Sequence, residues 1–234
     1  MFIRSAFFYL GLGLISILAS ILLVATSPVV KRRFRFKFVS YCNRTVLQWM
    51  KLTCGITFEI TGLENIPKNQ PVVVACNHQS DWETFYLLTM GLPVSTVLKR
   101  ELLYIPFFGW ALAMLNPIAI DRKRKTNALK QLSQQGCERL NAGISVVIFP
   151  EGTRCPPGEL GPCTKGAAML AHQAGVPILP IVQNSGRLSP PRKWIKRSGK
   201  VDVRIGAPIN ADVTTKEMHQ KMVSWMTENL IDIS

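Results

Sequence analysis

Two short segments hold the residue types able to do chemistry. The first, residues 77–83, reads Asn-His-Gln-Ser-Asp-Trp-Glu. It sets His78 three positions before Asp81 and five before Glu83. If a helix starts near Ser80 or Asp81, Glu83 folds back toward His78. A carboxylate accepting a hydrogen bond from one ring nitrogen fixes the tautomer and stabilises the imidazolium. The other nitrogen is then free to take a proton from an alcohol. The same spacing also suits a helix-capping network. The second segment, residues 149–154, reads Phe-Pro-Glu-Gly-Thr-Arg. Gly152 lets backbone approach a ligand closely. Arg154 offers a planar fork matched to phosphate oxygens. Glu151 can accept from a substrate hydroxyl or hold the arginine. A turn with a surface ion pair accounts for this segment equally well.

Both segments directly follow apolar runs, and those runs belong to a regular alternation. Strand patterns occur at residues 56–62, 71–76, 95–99, 117–121, 145–149, 176–181 and 201–206. Several are continuously apolar, as strands covered on both faces are. Helical patterns occupy residues 84–89, 125–141, 166–174 and 215–230, the last opening with Thr214 and Glu217 in capping-box spacing. This alternation predicts an α/β fold with a mixed, largely parallel sheet flanked by helices. In such sheets ligands gather beyond the carboxyl ends of strands, where both chemical segments fall.

The first 55 residues are of a different kind. Residues 6–26 contain no charge and are long enough to cross a bilayer as a helix. A basic block follows: Lys31, Arg32, Arg33, Arg35 and Lys37, interleaved with Phe34, Phe36 and Phe38. Such a block resists translocation, so a retained membrane anchor is expected over a cleaved signal, with the remainder of the chain cytoplasmic. The phenylalanines suit headgroup depth. Residues 38–52 show helical amphipathicity, suited to the core or to a membrane surface. The expected organisation is therefore residues 1–55 as anchoring helices and residues 56–234 as the catalytic domain.

Composition agrees. Hydrophobic residues make up 47% of the 234 and charged residues 18%, which excludes a disordered chain. Lys and Arg outnumber Asp and Glu by 28 to 14, pointing to anionic partners: membrane, phosphorylated substrate or nucleic acid. The six cysteines lack zinc-site spacing and read as reduced thiols.

Taken together, the two segments resemble the 1-acyl-sn-glycerol-3-phosphate acyltransferases. That family carries Asn-His-x-x-x-x-Asp in a first block and Phe-Pro-Glu-Gly-Thr-Arg in a third. The third is matched residue for residue; in the first, Glu83 stands at the family's Asp position. Residues 99–102 and 106–110 resemble the second-block neighbourhood, and residues 116–122 a segment ending in Asp-Arg. Lys165-Gly166 and residues 176–180 resemble later features, so the likeness runs from about residue 59 to residue 209.

The resemblance implies a mechanism. His78 is the general base on an acceptor hydroxyl and Glu83 its partner, with Asp81 as second choice. The acceptor's phosphate meets Arg154 within the run Glu151, Gly152, Thr153 and Arg154, with Lys99 and Arg122 adding positive charge. The implied acceptor is lysophosphatidic acid, acylated at its sn-2 hydroxyl to phosphatidic acid, and the donor is acyl-CoA or acyl carrier protein. No cofactor or metal is implied, because a thioester is already activated. The implied location is a bacterial inner membrane. The alternatives are acylation of another lysolipid, such as lyso-ornithine lipid, or of glycerol-3-phosphate. A non-enzymatic protein binding anionic lipid is a further alternative, invited by basic residues 122–125 and 192–200. No nucleic-acid motif is present.

Overall fold

A computed structural model of the protein describes residues 1–120 and 125–233. Arg122, expected to contribute charge to the site, lies outside the described residues. All seven expected strands form and join one sheet: β1 (Ile56–Thr61), β2 (Val73–Cys76), β3 (Val94–Lys99), β4 (Ile118–Ile120), β5 (Ser145–Ile148), β6 (Ile178–Gln183) and β7 (Gly199–Ile205). Their order is β1-β7-β6-β2-β5-β3-β4. Pairing is parallel throughout except between β6 and β7, which run antiparallel.

The helices cover both faces. They are α1 (Phe2–Thr26), α2 (Arg32–Cys54), α3 (Trp82–Leu87), α4 (Phe108–Ala113), α5 (Lys125–Asn141), α6 (Gly166–Ala174) and α7 (Thr215–Asp232). Alternate strand residues point to opposite faces, so β2 feeds two cores at once. Val74 and Cys76 pack with Met50, Trp82 and Leu87 on one side. Val73 and Ala75 pack with Ala168, Leu170 and Met222 on the other. On α7 the buried Met218, Met222, Met226 and Leu230 recur every fourth residue, a single apolar stripe. The expected capping box holds its first turn, with Thr214 N donating to Glu217 Oε2 at 2.9 Å.

The first two helices form a hairpin. Trp49 Nε1 on α2 donates to the Phe7 carbonyl at 3.2 Å, and Arg4 Nε donates to the Thr53 carbonyl at 2.6 Å. A helix packed so tightly needs glycine at the crossing: a Cβ on Gly11 would lie 2.1 Å from Trp49 Nε1. The basic block is part of the hairpin itself. It opens α2, and Arg35 folds back to donate to the carbonyls of Val30 and Ser27, satisfying the end of α1. Phe8, Val46, Leu47, Met50 and Cys54 sit in the same buried cluster as the β-strands. The hairpin therefore shares the core of the sheet, and the amino-terminal end of α1 rests against it. The opposite face of α1, with Ile3, Phe7, Leu10, Leu14, Ile17 and Ile21, is exposed. By length and composition α1 is the one helix among the described residues apolar enough to cross a membrane.

Because Phe8 is fully buried in that shared cluster, Phe8→Ala is expected to cost about 3–5 kcal/mol. Urea unfolding in detergent, followed by far-UV circular dichroism, measures this. If the midpoint stays at the wild-type value, the hairpin is an appendage.

Candidate active site

Strands β5, β2 and β6 lie side by side, so the turns leaving their carboxyl ends meet. The turn after β2 carries His78. Helix α3 starts at Trp82, two residues before the predicted start, which puts Glu83 in its first turn and aims it back at the histidine. His78 Nδ1 and Glu83 Oε1 are 2.8 Å apart. The same oxygen accepts from the backbone N–H groups of Gln79 at 2.9 Å and Ser80 at 2.8 Å. The second oxygen, Oε2, accepts from Ser80 Oγ at 2.7 Å and Ser185 Oγ at 2.9 Å.

Glu83 is fully buried. Burial pushes its carboxyl upward in pKa, but the hydrogen bond and charge of His78, with the Ser80 contacts, outweigh this and hold it below the ordinary carboxylate value. An ionised Glu83 can only accept, so it fixes the proton of His78 on Nδ1 and leaves Nε2 with its lone pair. The ring is held flat against Phe149, with centroids 4.1 Å apart and planes at 20°.

The second segment clamps the first. Glu151 Oε2 accepts from the backbone N–H of His78 at 2.6 Å, and Oε1 accepts from that of Gly161 at 3.0 Å. The His78 carbonyl accepts from Cys155 N at 2.8 Å. Glu151 was predicted to touch a substrate hydroxyl or hold Arg154; its oxygens instead fasten two backbone amides. Burial holds its pKa above the ordinary carboxylate value, and the amides of Gly161 and His78 offset only part of the rise. Gly152 takes a left-handed φ of 69°, the turn that sends Thr153 and Arg154 toward the site.

Asp81, the second choice as His78's partner, pairs with Arg154 instead. The spacing explains this: Asp81 stands just before the first turn of α3 with its side chain outward, whereas Glu83 faces inward. On the other side of β2, Asn77 and Gln183 exchange hydrogen bonds at 2.9 Å in both directions, extending the pairing of β2 and β6 beyond the regular ladder. This registers Ser185 against Glu83. Sequence reasoning missed Ser185. Its signal was the polar run Gln183-Asn184-Ser185 closing a fully buried strand.

His78, Asp81, Thr153 and Arg154 open onto one cavity of ≈ 970 Å³. Lys99, at the end of β3, and Arg192 also line it. Its remaining walls are largely apolar, drawn from α1 (Leu12, Ile15), α2 (Val39, Val46), α3 (Phe85, Leu87) and α4 (Leu112). An imidazole with a free lone pair opening on a largely apolar cavity is the arrangement expected of a class: enzymes that act on substrates with long apolar parts.

Comparison with known proteins gives that class its chemistry. A family model described as Acyltransferase matches residues 57–184. The 1-acyl-sn-glycerol-3-phosphate acyltransferase of Pseudomonas aeruginosa is 44% identical, over 99% of this chain and 92% of its own. The enzyme of that name from Saccharomyces cerevisiae is 32% identical, over 95% and 72%. The crystal structure of the 1-acyl-sn-glycerophosphate acyltransferase from Thermotoga maritima shares the fold, with a TM-score of 0.84, 24% identity, and coverage of 98% of this chain and 94% of that one. The chain belongs to the 1-acyl-sn-glycerol-3-phosphate acyltransferase family and is an acyl-transferring enzyme.

Glu83→Gln replaces an acceptor-only group with an amide that also donates, so turnover is expected to fall on the order of 100-fold or more. Equal turnover would move the partner role to Asp81. The depressed pKa has a second consequence. Its stabilisation is complete above the unfolded carboxylate value, about 4.3, and is lost as pH falls through the lower folded value. Urea midpoints between pH 6 and pH 3 should therefore drop more steeply for the wild type than for Glu83→Gln. Ser185→Ala removes one charge-assisted hydrogen bond and should cost about 1.5–3 kcal/mol of stability together with some turnover.

Proposed function

We propose that the protein transfers a fatty acyl group from a thioester donor, acyl-CoA or acyl carrier protein, to the sn-2 hydroxyl of 1-acyl-sn-glycerol-3-phosphate. The observation that carries this reading is the His78–Glu83 pair opening on an apolar cavity beside a guanidinium. His78 Nε2 takes the hydroxyl proton as the oxygen attacks the thioester carbonyl. Glu83 supports the imidazolium that forms. The tetrahedral intermediate then collapses, the carbon–sulfur bond breaks, and the thiolate takes the proton back from His78. The product is phosphatidic acid and a free thiol. The reading needs no cofactor beyond the co-substrate, because the thioester is already activated.

Arg154 is the acceptor's phosphate ligand in this reading. Its pairing with Asp81 keeps the guanidinium at the cavity until a dianion competes for it. Lys99 and Arg192, on the same cavity wall, add positive charge. The relatives' substrate supports this choice of acceptor.

Both lipids live in a bilayer, and the exposed apolar face of α1 supplies the seat. That face presents Ile3, Phe7, Leu10, Leu14 and Ile17 along one side while the other side packs on the protein. The amino-terminal end of α1 rests on the catalytic unit, and the basic block stands at the hairpin's far tip. Driving that tip through hydrocarbon would bury several cations, each costing about 2.5–3.5 kcal/mol at the bilayer centre. The hairpin therefore lies along one leaflet, with its cations at headgroup level.

The test is acyl transfer by purified protein in mixed micelles, with labelled acyl thioester and lysophosphatidic acid beside lyso-ornithine lipid and glycerol-3-phosphate. His78→Ala should abolish transfer while binding is retained. Arg154→Ala should raise the apparent KM for the acceptor by about 10-fold or more and leave the donor's KM little changed. A donor-only effect, or an equal preference for the phosphate-free acceptor, would overturn the phosphate assignment.

A further inference from the structure

Residues 186–200 take no part in the proton chemistry. They include six basic residues, Arg187, Arg192, Lys193, Lys196, Arg197 and Lys200, and no acid. Lys200 is paired with Glu59 and Asp202, and Lys196 is buried. The other four are exposed. Among them Trp194 and Ile195 also stand in solvent, 48% and 44% exposed. Two large apolar side chains held outward among cations mark a surface made for contact.

The position of this loop identifies the contact. Trp194 stacks on Tyr9 of α1 with ring centroids 4.2 Å apart, and Phe2 lies 6.4 Å away. Lys196 fastens the loop there. Its backbone N–H donates to Ser5 Oγ at 2.9 Å, and Nζ donates to Ser189 Oγ at 2.5 Å. The ammonium stands over the rings of Phe8 and Tyr9 at 5.5 and 5.2 Å. A buried ammonium without a salt-bridge partner among the described residues is costly, and those ring faces, with the more distant charges of Asp81 and Glu83, offset part of the cost. Loop and helix thus form one surface. The exposed stripe of α1 runs on into Trp194 and Ile195, edged by Lys193 and Arg197. On its inner side the loop reaches the active site, because Pro191 and Arg192 line the cavity that holds His78 and Arg154.

We propose that residues 190–197 form a membrane-seated lip at the cavity mouth. Trp194 and Ile195 lie in the bilayer interface beside α1, where tryptophan is at home. Lys193 and Arg197 meet anionic headgroups, and the acceptor lipid passes from the leaflet into the cavity past Arg192. The proposal rests on the membrane seating described above.

Flotation with phosphatidylcholine vesicles, with and without phosphatidylglycerol, reads the contact directly and does not depend on turnover. It therefore stays readable even if lysophosphatidic acid is not the acceptor. The double variant Trp194→Ser/Ile195→Ser should lower the vesicle-bound fraction and raise the apparent KM for acceptor presented in vesicles by about 10-fold. Its kcat/KM on a water-soluble short-chain acceptor should stay at the wild-type value. Ile195→Ser alone, which leaves the Tyr9 stack intact, should move both readings in the same direction by less. Lys193→Gln/Arg197→Gln should weaken the preference for anionic vesicles, the basic block at the hairpin tip retaining part of it, while binding to neutral ones persists. Unchanged flotation of the double variant, or an equal loss with soluble and vesicle-presented acceptors, overturns the proposal. Wild-type protein that floats with neither vesicle overturns it together with the membrane seating.

Discussion

A carboxylate with no access to water is tolerable only when its charge is fully matched. Glu83 is such a group, and the rest of the site follows from the requirement. A bare buried anion would cost several kcal/mol and would protonate instead. Here five hydrogen bonds converge on it, from His78, Gln79, Ser80 and Ser185. Three come from the turn after β2, one from the side chain of Ser80, and one from beyond β6. The turn must tighten into α3 at once, and β6 must register beside β2 to within a residue. The reciprocal bonds between Asn77 and Gln183 enforce that register. The histidine gains its orientation from the same arrangement, so the apparatus that makes an ion tolerable in the interior also makes a base available at the surface.

The second segment has a different task from the first. Glu151 and Cys155 hold the backbone of His78 from two sides, so the loop after β5 is a brace for the loop after β2. Thr153 and Arg154, beyond the left-handed turn at Gly152, reach the cavity, and Phe149 at the start of the segment lines it beneath the His78 ring. Within one continuous segment, Glu151 thus braces the backbone of His78 while its neighbours face the cavity.

Much of this was legible in the sequence. The apolar runs gave every strand, because strands covered on both faces leave little room for polar residues. The pairing of His78 with Glu83 followed from spacing and from the family likeness. What spacing could not give was contact across the sheet. Ser185 lies 102 positions from Glu83, and no periodicity links them. Glu151 looked like a ligand group because an acid beside a glycine and an arginine is usually solvated; only the fold reveals the backbone amides beneath it. Asp81 was ambiguous for a local reason: three positions and five positions after the histidine are both within reach until the start of the helix is known. The basic block was read by its charge alone, and its place at the start of α2 depended on Arg35 finding the carbonyls of Ser27 and Val30 just past α1.

The bond from Lys196 to Ser5 spans 191 positions of chain. On a ribosome making 5–20 residues per second, α1 emerges roughly 10–40 s before the loop that will cover one of its faces exists. For that interval α2 can pack on α1, but the face that Lys196 and Trp194 will meet stays bare beside the outer one. An early partner for the first helix is thus a condition of synthesis as well as of catalysis, and a lipid leaflet can serve as that partner before the sheet has formed.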